Sequence, residues 1–231
     1  MHPADHPGPL VFVDDLAEPR LAEADDHHLR RVLRTRPGDA VILGDGAGSW
    51  RAARLLADGA VEATGPIESA PPPAPALTVG FALVKGDKPE LIVQKLTELG
   101  IDRIVPFRAE RSVVQWDDAK AAKALVRLRA VARAAAMQSH RPHLPQVDAV
   151  AELGALVAAG AALADRVGAA PSLDQPAVLV GPEGGWSEAE RDLGAPTVGL
   201  GDHVLRAETA AVTAGALLAA VRSGLVTPRD R

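Results

Sequence analysis

Two rhythms of apolar and polar positions run along the 231 residues. In the first, short apolar runs alternate with turn residues. Residues 10–13, 40–43, 49–56 and 60–64 read as strands. Residues 24–33 read as a short helix. RPGD at 36–39 is a turn and GDGAG at 44–48 a hairpin-type loop. Several short strands punctuated in this way predict a small β-barrel. SAPPPAP at 69–75 is an extended, fairly stiff break that cannot continue a ladder. It places the domain boundary, with one domain over residues 1–70 and a second over 76–231.

From residue 77 the second rhythm begins. Residues 77–83 read as a strand. Asp87 is positioned as a helix N-cap, with Pro89 and Glu90 in the first turn. Leu91, Ile92, Lys95, Leu96 and Leu99 then follow helical spacing, Lys95 interrupting the apolar face, and Gly100 ends the helix. Residues 101–107 form the next strand, and strand, helix, strand in this order implies a parallel sheet. Helices are expected at 117–138 and 150–159, a short strand at 161–164 and a loop at 167–176. Asp165, at the end of that strand, is placed to meet substrate or cofactor. Two further buried strands, 177–180 and 197–200, each end in a Gly-rich loop, and an Ala-rich helix covers 209–221.

Composition narrows the function. Cysteine is absent, which excludes disulfides, thiolate zinc sites and cysteine nucleophiles. Tyrosine is absent and other aromatics are few, which argues against a base-stacking platform. No apolar run is long enough for a membrane span, and the start of the chain lacks the pattern of a signal peptide. A cytoplasmic protein without membrane association is expected. The net charge of −5 argues mildly against a nucleic-acid partner, yet the basic residues are clustered. Arg30, Arg31, Arg34 and Arg36 form one group. Lys120, Lys123, Arg127, Arg129, Arg133 and Arg141 form another. Each is either a solvated helix face or an RNA contact. Arg30 and Arg34, one helical turn apart, are candidates for RNA backbone contact. His28 either contacts phosphate or packs.

Fingerprints of serine hydrolases, P-loop NTPases, zincins, EF-hands and GxGxxG dinucleotide sites are missing; no metal site is expected. What remains is the stretch VLVGPEGGWSEAERDLGAPTVGLGDHVLRAETA. Ligands of open α/β sheets sit beyond the carboxyl ends of strands, and glycines let backbone approach them. A pocket of mostly main-chain groups follows, from Leu179, Gly181, Pro182, Glu183, Gly184, Leu200, Gly201, Val204 and Leu205. It suits an adenosine moiety.

GPEGG and VLRAETA at their mutual spacing, HHLRRVLR with its GD and DG turns, and KGDKPELIVQKLTELG resemble the E-type ribosomal RNA small subunit methyltransferases of the SPOUT superfamily. The resemblance covers nearly the whole chain. It implies an α/β fold: an N-terminal PUA-like β-barrel followed by a SPOUT trefoil-knot domain with a mainly parallel sheet. It implies S-adenosyl-L-methionine as cofactor, uracil N3 in 16S ribosomal RNA of the small ribosomal subunit as acceptor, and a homodimer. Arg206 is then the group that stabilises negative charge on a uracil carbonyl; its alternative is a salt bridge with Glu208 or Glu183. Glu208 acts in catalysis or favours the helix dipole. Thr209 caps the helix or bonds in the cofactor site. Lys88, Arg111 and Arg141 join Arg30 and Arg34 as RNA contacts, Arg111 alternatively pairing with Glu110. The chain departs from the family pattern at Met137, where a Glu is usual. That departure is the one hint toward an RNA-binding assembly factor without catalysis; a different SPOUT methylation (ribose 2′-O or guanine N1) is the other alternative, against which the full-length match and the PUA-like front half argue.

Overall fold

The computed structural model describes residues 2–227, apart from the side chains of His28 and Val32; the reading of His28 therefore lies outside the described residues. The chain forms two compact units. One comprises Met1–Pro72 together with Arg133–Leu144, the other Pro73–Ala132 and Pro145–Arg231.

The first unit holds β1 (Leu10–Phe12), α1 (Glu23–His27), β2 (Ala40–Gly44), β3 (Ser49–Leu55), β4 (Val61–Ala63) and β5 (Glu68–Ser69). Strand order is β1-β2-β3-β4, with β5 also on β3. β1 pairs β2 in parallel and the other pairs are antiparallel. Alternate side chains of a strand face opposite sides, and here both sides are covered. Val11, Val41, Leu43, Ala53 and Leu55 pack with Leu29 on one face. Leu10, Phe12, Ile42 and Trp50 pack with Ala136 on the other. That is why the apolar runs of β1 and β2 are continuous rather than alternating. Met137 packs against both clusters. Arg133 fixes this segment by a bidentate pair with buried Asp25, at 2.7 and 2.8 Å, while its guanidinium lies over the Phe12 ring.

The expected helix at 24–33 is α1 followed by a π-type turn, His28–Val32. Arg34 lies beyond it with φ of +57°. Arg30 and Arg34 therefore do not share a helical face, contrary to the spacing argument. Arg30 pairs instead with Asp26 at 2.6 Å.

The second unit contains β6 (Thr78–Ala82), α2 (Lys88–Glu98), β7 (Arg103–Arg108), α3 (Asp118–Gln138, its final residues counted with the first unit), β8 (Gln146–Val147), β9 (Ala151–Glu152), α4 (Leu153–Ala158), β10 (Ala162–Ala169), β11 (Ala177–Val180), α5 (Glu188–Arg191), β12 (Thr197–Val198) and α6 (Ala207–Arg222). The sheet order is β12-β10-β11-β6-β7-β8, with β9 also on β7, and these pairs are parallel. Val79, Phe81, Ile104, Val178 and Val180 pack under α2, α3 and α6; Val105, Phe107, Leu163 and Leu179 pack with α4 and Trp186. Helices thus cover both faces, as a parallel sheet requires.

Several local expectations are revised. Asp87 occupies the N-cap position without a side-chain capping bond. Ile92, Val93, Leu96 and Thr97 are buried on α2, whereas Leu91 is exposed and Lys95 pairs outward with Glu98 at 2.7 Å. Residues 151–152 pair with β7 before α4 begins. β10 runs to Ala169, beyond its expected end. No helix among the described residues is long and apolar enough to cross a membrane.

Candidate cofactor and methyl-transfer site

The sheet order decides where the site lies. β10 separates β11 from β12, so the ends of β11 and β12 and the interior of β10 between them open onto one cavity. It measures about 210 Å³. β11 supplies Val180, Gly181, Pro182 and Glu183; the segment after β12 supplies Leu200, Gly201, His203, Val204 and Leu205; α6 supplies Ala207 and Ala210. β10 adds Ala164, Asp165 and Arg166. Its pairing with β12 shifts register between Ala164 and Ala169, and the residues between bulge out of the ladder. Gly168 makes the return possible, since a Cβ there would stand 2.6 Å from the Val198 backbone.

The GPEGG loop is held from below. The Gly185 amide donates to the Pro182 carbonyl at 2.8 Å, closing a turn. Trp186 stacks on Phe107 and donates its indole N–H to the Ala164 carbonyl at 2.9 Å. A Cβ on Gly181 would lie 3.0 Å from that indole, a contact tight enough that the ring would have to give way by a few tenths of an ångström. Ser187 and Glu190 form a reciprocal capping box at the start of α5. Glu190 is buried and also accepts the Glu110 amide at 2.8 Å, while Arg111 donates to the Gly184 carbonyl at 3.2 Å. Glu110 and Arg111 thus both brace the loop; they do not pair with each other.

The charges at the rim have a definite arrangement. Lys88 Nζ lies 3.1 Å from Glu208 and 3.6 Å from Glu183. Its contact with Glu208 is an ion pair lacking hydrogen-bond alignment. The Glu208 carboxyl is held below its ordinary value: burial pushes it upward, but its own backbone amide, Lys88 and Arg206 together prevail. Arg206 is the exposed N-cap residue of α6; its carbonyl accepts the Ala210 amide at 2.8 Å, and its guanidinium makes no ion pair or hydrogen bond among the described residues. The alternative salt bridge to Glu183 or Glu208 is therefore not formed, because Lys88 takes both carboxylates. Asp165 is likewise held low; burial opposes, and the Arg191 guanidinium at 2.6 Å with the amides of Val167 and Arg166 outweigh it.

Of the pocket residues read from sequence, Gly181, Pro182, Glu183, Leu200, Gly201, Val204 and Leu205 line the cavity. Three do not. Leu179 points into the core against Gly80, Gly184 backs onto Arg111, and Thr209 is exposed on α6 with its carbonyl bonded to the Thr213 hydroxyl. In each case the neighbour in sequence faces the cavity instead. Arg30, Arg34 and Arg141 belong to the first unit, Lys88 and Arg111 to the second. Sequence reasoning missed Trp186, Arg166, Arg191, Ala207 and Ala210 as cavity residues. The Ser-x-x-Glu spacing of Ser187 and Glu190 was a readable sign that Trp186 ends a loop. No group of three or more His, Asp or Glu side chains among the described residues is placed to hold a metal ion.

Residues 71–219 match the model of an RNA methyltransferase domain and residues 21–63 that of an RNA methyltransferase PUA domain. Fold and site together define a SPOUT-type, trefoil-knot RNA methyltransferase with a PUA-like N-terminal domain. A ribosomal RNA small subunit methyltransferase E of Mycobacterium tuberculosis is 38% identical over 89% of this chain and 88% of its own. That of Bacillus subtilis is 32% identical over 80% of this chain and 82% of its own. The crystal structure of the Neisseria gonorrhoeae enzyme of that name, bound to S-adenosyl methionine, aligns with TM-score 0.78 and 29% identity over 93% of this chain and 98% of that one. The chain belongs to the ribosomal RNA small subunit methyltransferase E family.

Proposed function

We propose that this chain transfers a methyl group from S-adenosylmethionine to N3 of a uracil in 16S ribosomal RNA. The single observation that carries the reading is the convergence of the ends of β11 and β12 and the bulge of β10 on one cavity walled largely by peptide groups and apolar side chains. Val180, Leu200, Leu205, Ala207 and Ala210 offer faces for a purine, and the glycine loops leave main-chain donors and acceptors near its edge. Carboxylates of Asp165 and Glu183 in the lining suit a ligand with hydroxyls and positive charge. These residues fit S-adenosylmethionine, which supplies an electrophilic methyl on sulfur when bound. Relatives of the same family name support both cofactor and ribosomal RNA class.

The protein's part is positioning and electrostatics. Uracil N3 becomes nucleophilic once its proton is lost, and the charge then spreads onto the ring carbonyls. Arg206, cationic and with its side chain unpaired among the described residues, stabilises that charge. Glu208, ionised and held low, is a weak proton acceptor; it fixes Lys88 and adds to the field around Arg206. The side of N3 used in pairing must be exposed, so the base is extruded from its stack. Arg30, Arg34 and Arg141 on the PUA-like unit, with Lys88 and Arg111 on the other, hold the surrounding RNA backbone. The chain works as a homodimer in the cytoplasm, on small ribosomal subunits. The loss of a family Glu at Met137 does not favour an inactive assembly factor, because Met137 packs in the first unit's core.

The test is transfer of labelled methyl from S-adenosylmethionine to small subunits lacking the modification, followed by nucleoside analysis. Label in 3-methyluridine is expected. Label in 2′-O-methylated nucleosides or 1-methylguanosine replaces the acceptor, and cofactor binding without transfer ends the catalytic reading.

A further inference from the structure

The cavity contains one carboxylate whose presence neither glycine loop accounts for. Asp165 sits where β10 leaves its ladder with β12, at the first position after the paired Ala164. A bulge re-aims the side chains it carries, and here Asp165 and Arg166 both reach the lining. The Asp165 side chain retains 18% of its exposure, and Arg191, across the loop, donates to its Oδ2 at 2.6 Å. Oδ1 receives a long bond from the Val167 amide, at 3.4 Å, and has no side-chain donor among the described residues. A carboxylate oxygen accommodates two hydrogen bonds, so Oδ1 keeps acceptor capacity toward the cavity.

We infer that Asp165 is a specificity-determining residue that accepts a hydrogen bond from a ribose hydroxyl of the nucleoside cofactor. The inference rests on the cavity being the cofactor site. Two arguments select a hydroxyl over the cofactor's ammonium or sulfonium. First, the Arg191 guanidinium already neutralises Asp165, which leaves its acceptor geometry but weakens its pull on a cation. Second, Glu183 lies on the same wall, 54% exposed and only 3.6 Å-paired with Lys88, and is the less compensated anion. The cation is better placed there. The site around Asp165 is also built: Trp186 bonds Ala164 from beneath, and Gly168 lets β10 return to Val198. These fix the carboxylate rather than leaving it on a free loop.

The experiment is calorimetric titration of the full chain with S-adenosylhomocysteine, 5′-methylthioadenosine and 2′-deoxy-5′-methylthioadenosine. The wild type should prefer the ribonucleoside over its deoxy form by roughly tenfold, the size of one hydrogen bond to a charged group. Asp165→Ala should weaken 5′-methylthioadenosine by a similar factor and abolish the preference. Asp165→Asn, which retains the Oδ1 acceptor and an equal shape, should keep part of it and controls for folding. Unchanged binding of 5′-methylthioadenosine to Asp165→Ala overturns the inference. So does loss of S-adenosylhomocysteine affinity alone, which would assign Asp165 to the amino-acid end. Failure of the wild type to bind any of the three overturns the cofactor reading and this assignment with it. Binding that ignores Asp165 overturns only the latter.

Discussion

At the scale of single residues, one lysine beside the cavity engages two acids, while the Arg206 side chain has no ion pair among the described residues. Lys88 engages Glu208 and Glu183, so Arg206 remains available for substrate. Arg206→Ala is expected to reduce methyl transfer by about 10²–10³-fold, as loss of one preorganised charge does. Cofactor affinity, followed by calorimetry, should stay within a few-fold. The Glu208 carboxyl is held below its ordinary value of 4.5. A depressed carboxyl stabilises the fold above its unfolded value, and the contribution is lost as pH falls through the folded value. Glu208→Gln should therefore lower the denaturation midpoint at pH 7, and the difference should shrink as pH falls through the depressed folded value. A midpoint difference that persists in acid would show that charge is not its role.

At the scale of elements, small residues set how closely strands and helices approach. Gly80 on β6 faces Leu179 on β11, where a Cβ would stand 2.5 Å from the leucine methyl. Gly215 on α6 faces Leu96 of α2 at the same 2.5 Å. Overpacking of this kind costs roughly 1–3 kcal/mol, so Gly215→Leu should lose that much in chemical denaturation although leucine is the better helix former. The Ala207, Ala211, Ala214, Gly215 and Leu218 face of α6 is thereby spent inside the chain's own core. Gly181→Val should push against Trp186 and weaken cofactor binding by more than tenfold. Trp186 fluorescence and calorimetry would both report it, and a variant with unaltered affinity would remove the GPEGG loop from the pocket. Element types were largely readable, because long periodic segments declare themselves. Exceptions lie where tertiary pairing overrides local pattern: residues 151–152 became a strand because β7 offered an edge, and β10 lengthened because β12 accepted Ala169.

At the scale of the whole molecule, the net charge of −5 coexists with an expected RNA partner because basic side chains are grouped while the acids largely pair or cap. Binding to small subunits should weaken with salt. Arg34→Ala should raise KM for subunits several-fold, lower the salt slope by about one unit and leave kcat and cofactor binding unchanged. A changed kcat would place Arg34 elsewhere than on the RNA backbone. The division into units likewise belongs to this scale. The proline-rich break read from sequence coincides with Pro72–Pro73, yet residues 133–144 count with the first unit. A continuous helix carries no local mark of where its core partners change.

The sequence alone determined the order of the main strands and helices, the two folding rhythms, the glycine loops and the resemblance that names the family. All of these depend on residues near each other in the chain, through backbone freedom, periodicity and capping. Only the tertiary structure decided which strand lay between β11 and β12, and with it the entry of Asp165 and Arg166 into the cavity. It also decided that Lys88, not Arg206, pairs with Glu183 and Glu208, and that Leu179, Gly184 and Thr209 face away. The reason is geometric. Strand neighbours and ion-pair partners are chosen by packing among segments distant in sequence, and a shift of one residue along a strand or helix turns a side chain from cavity to core.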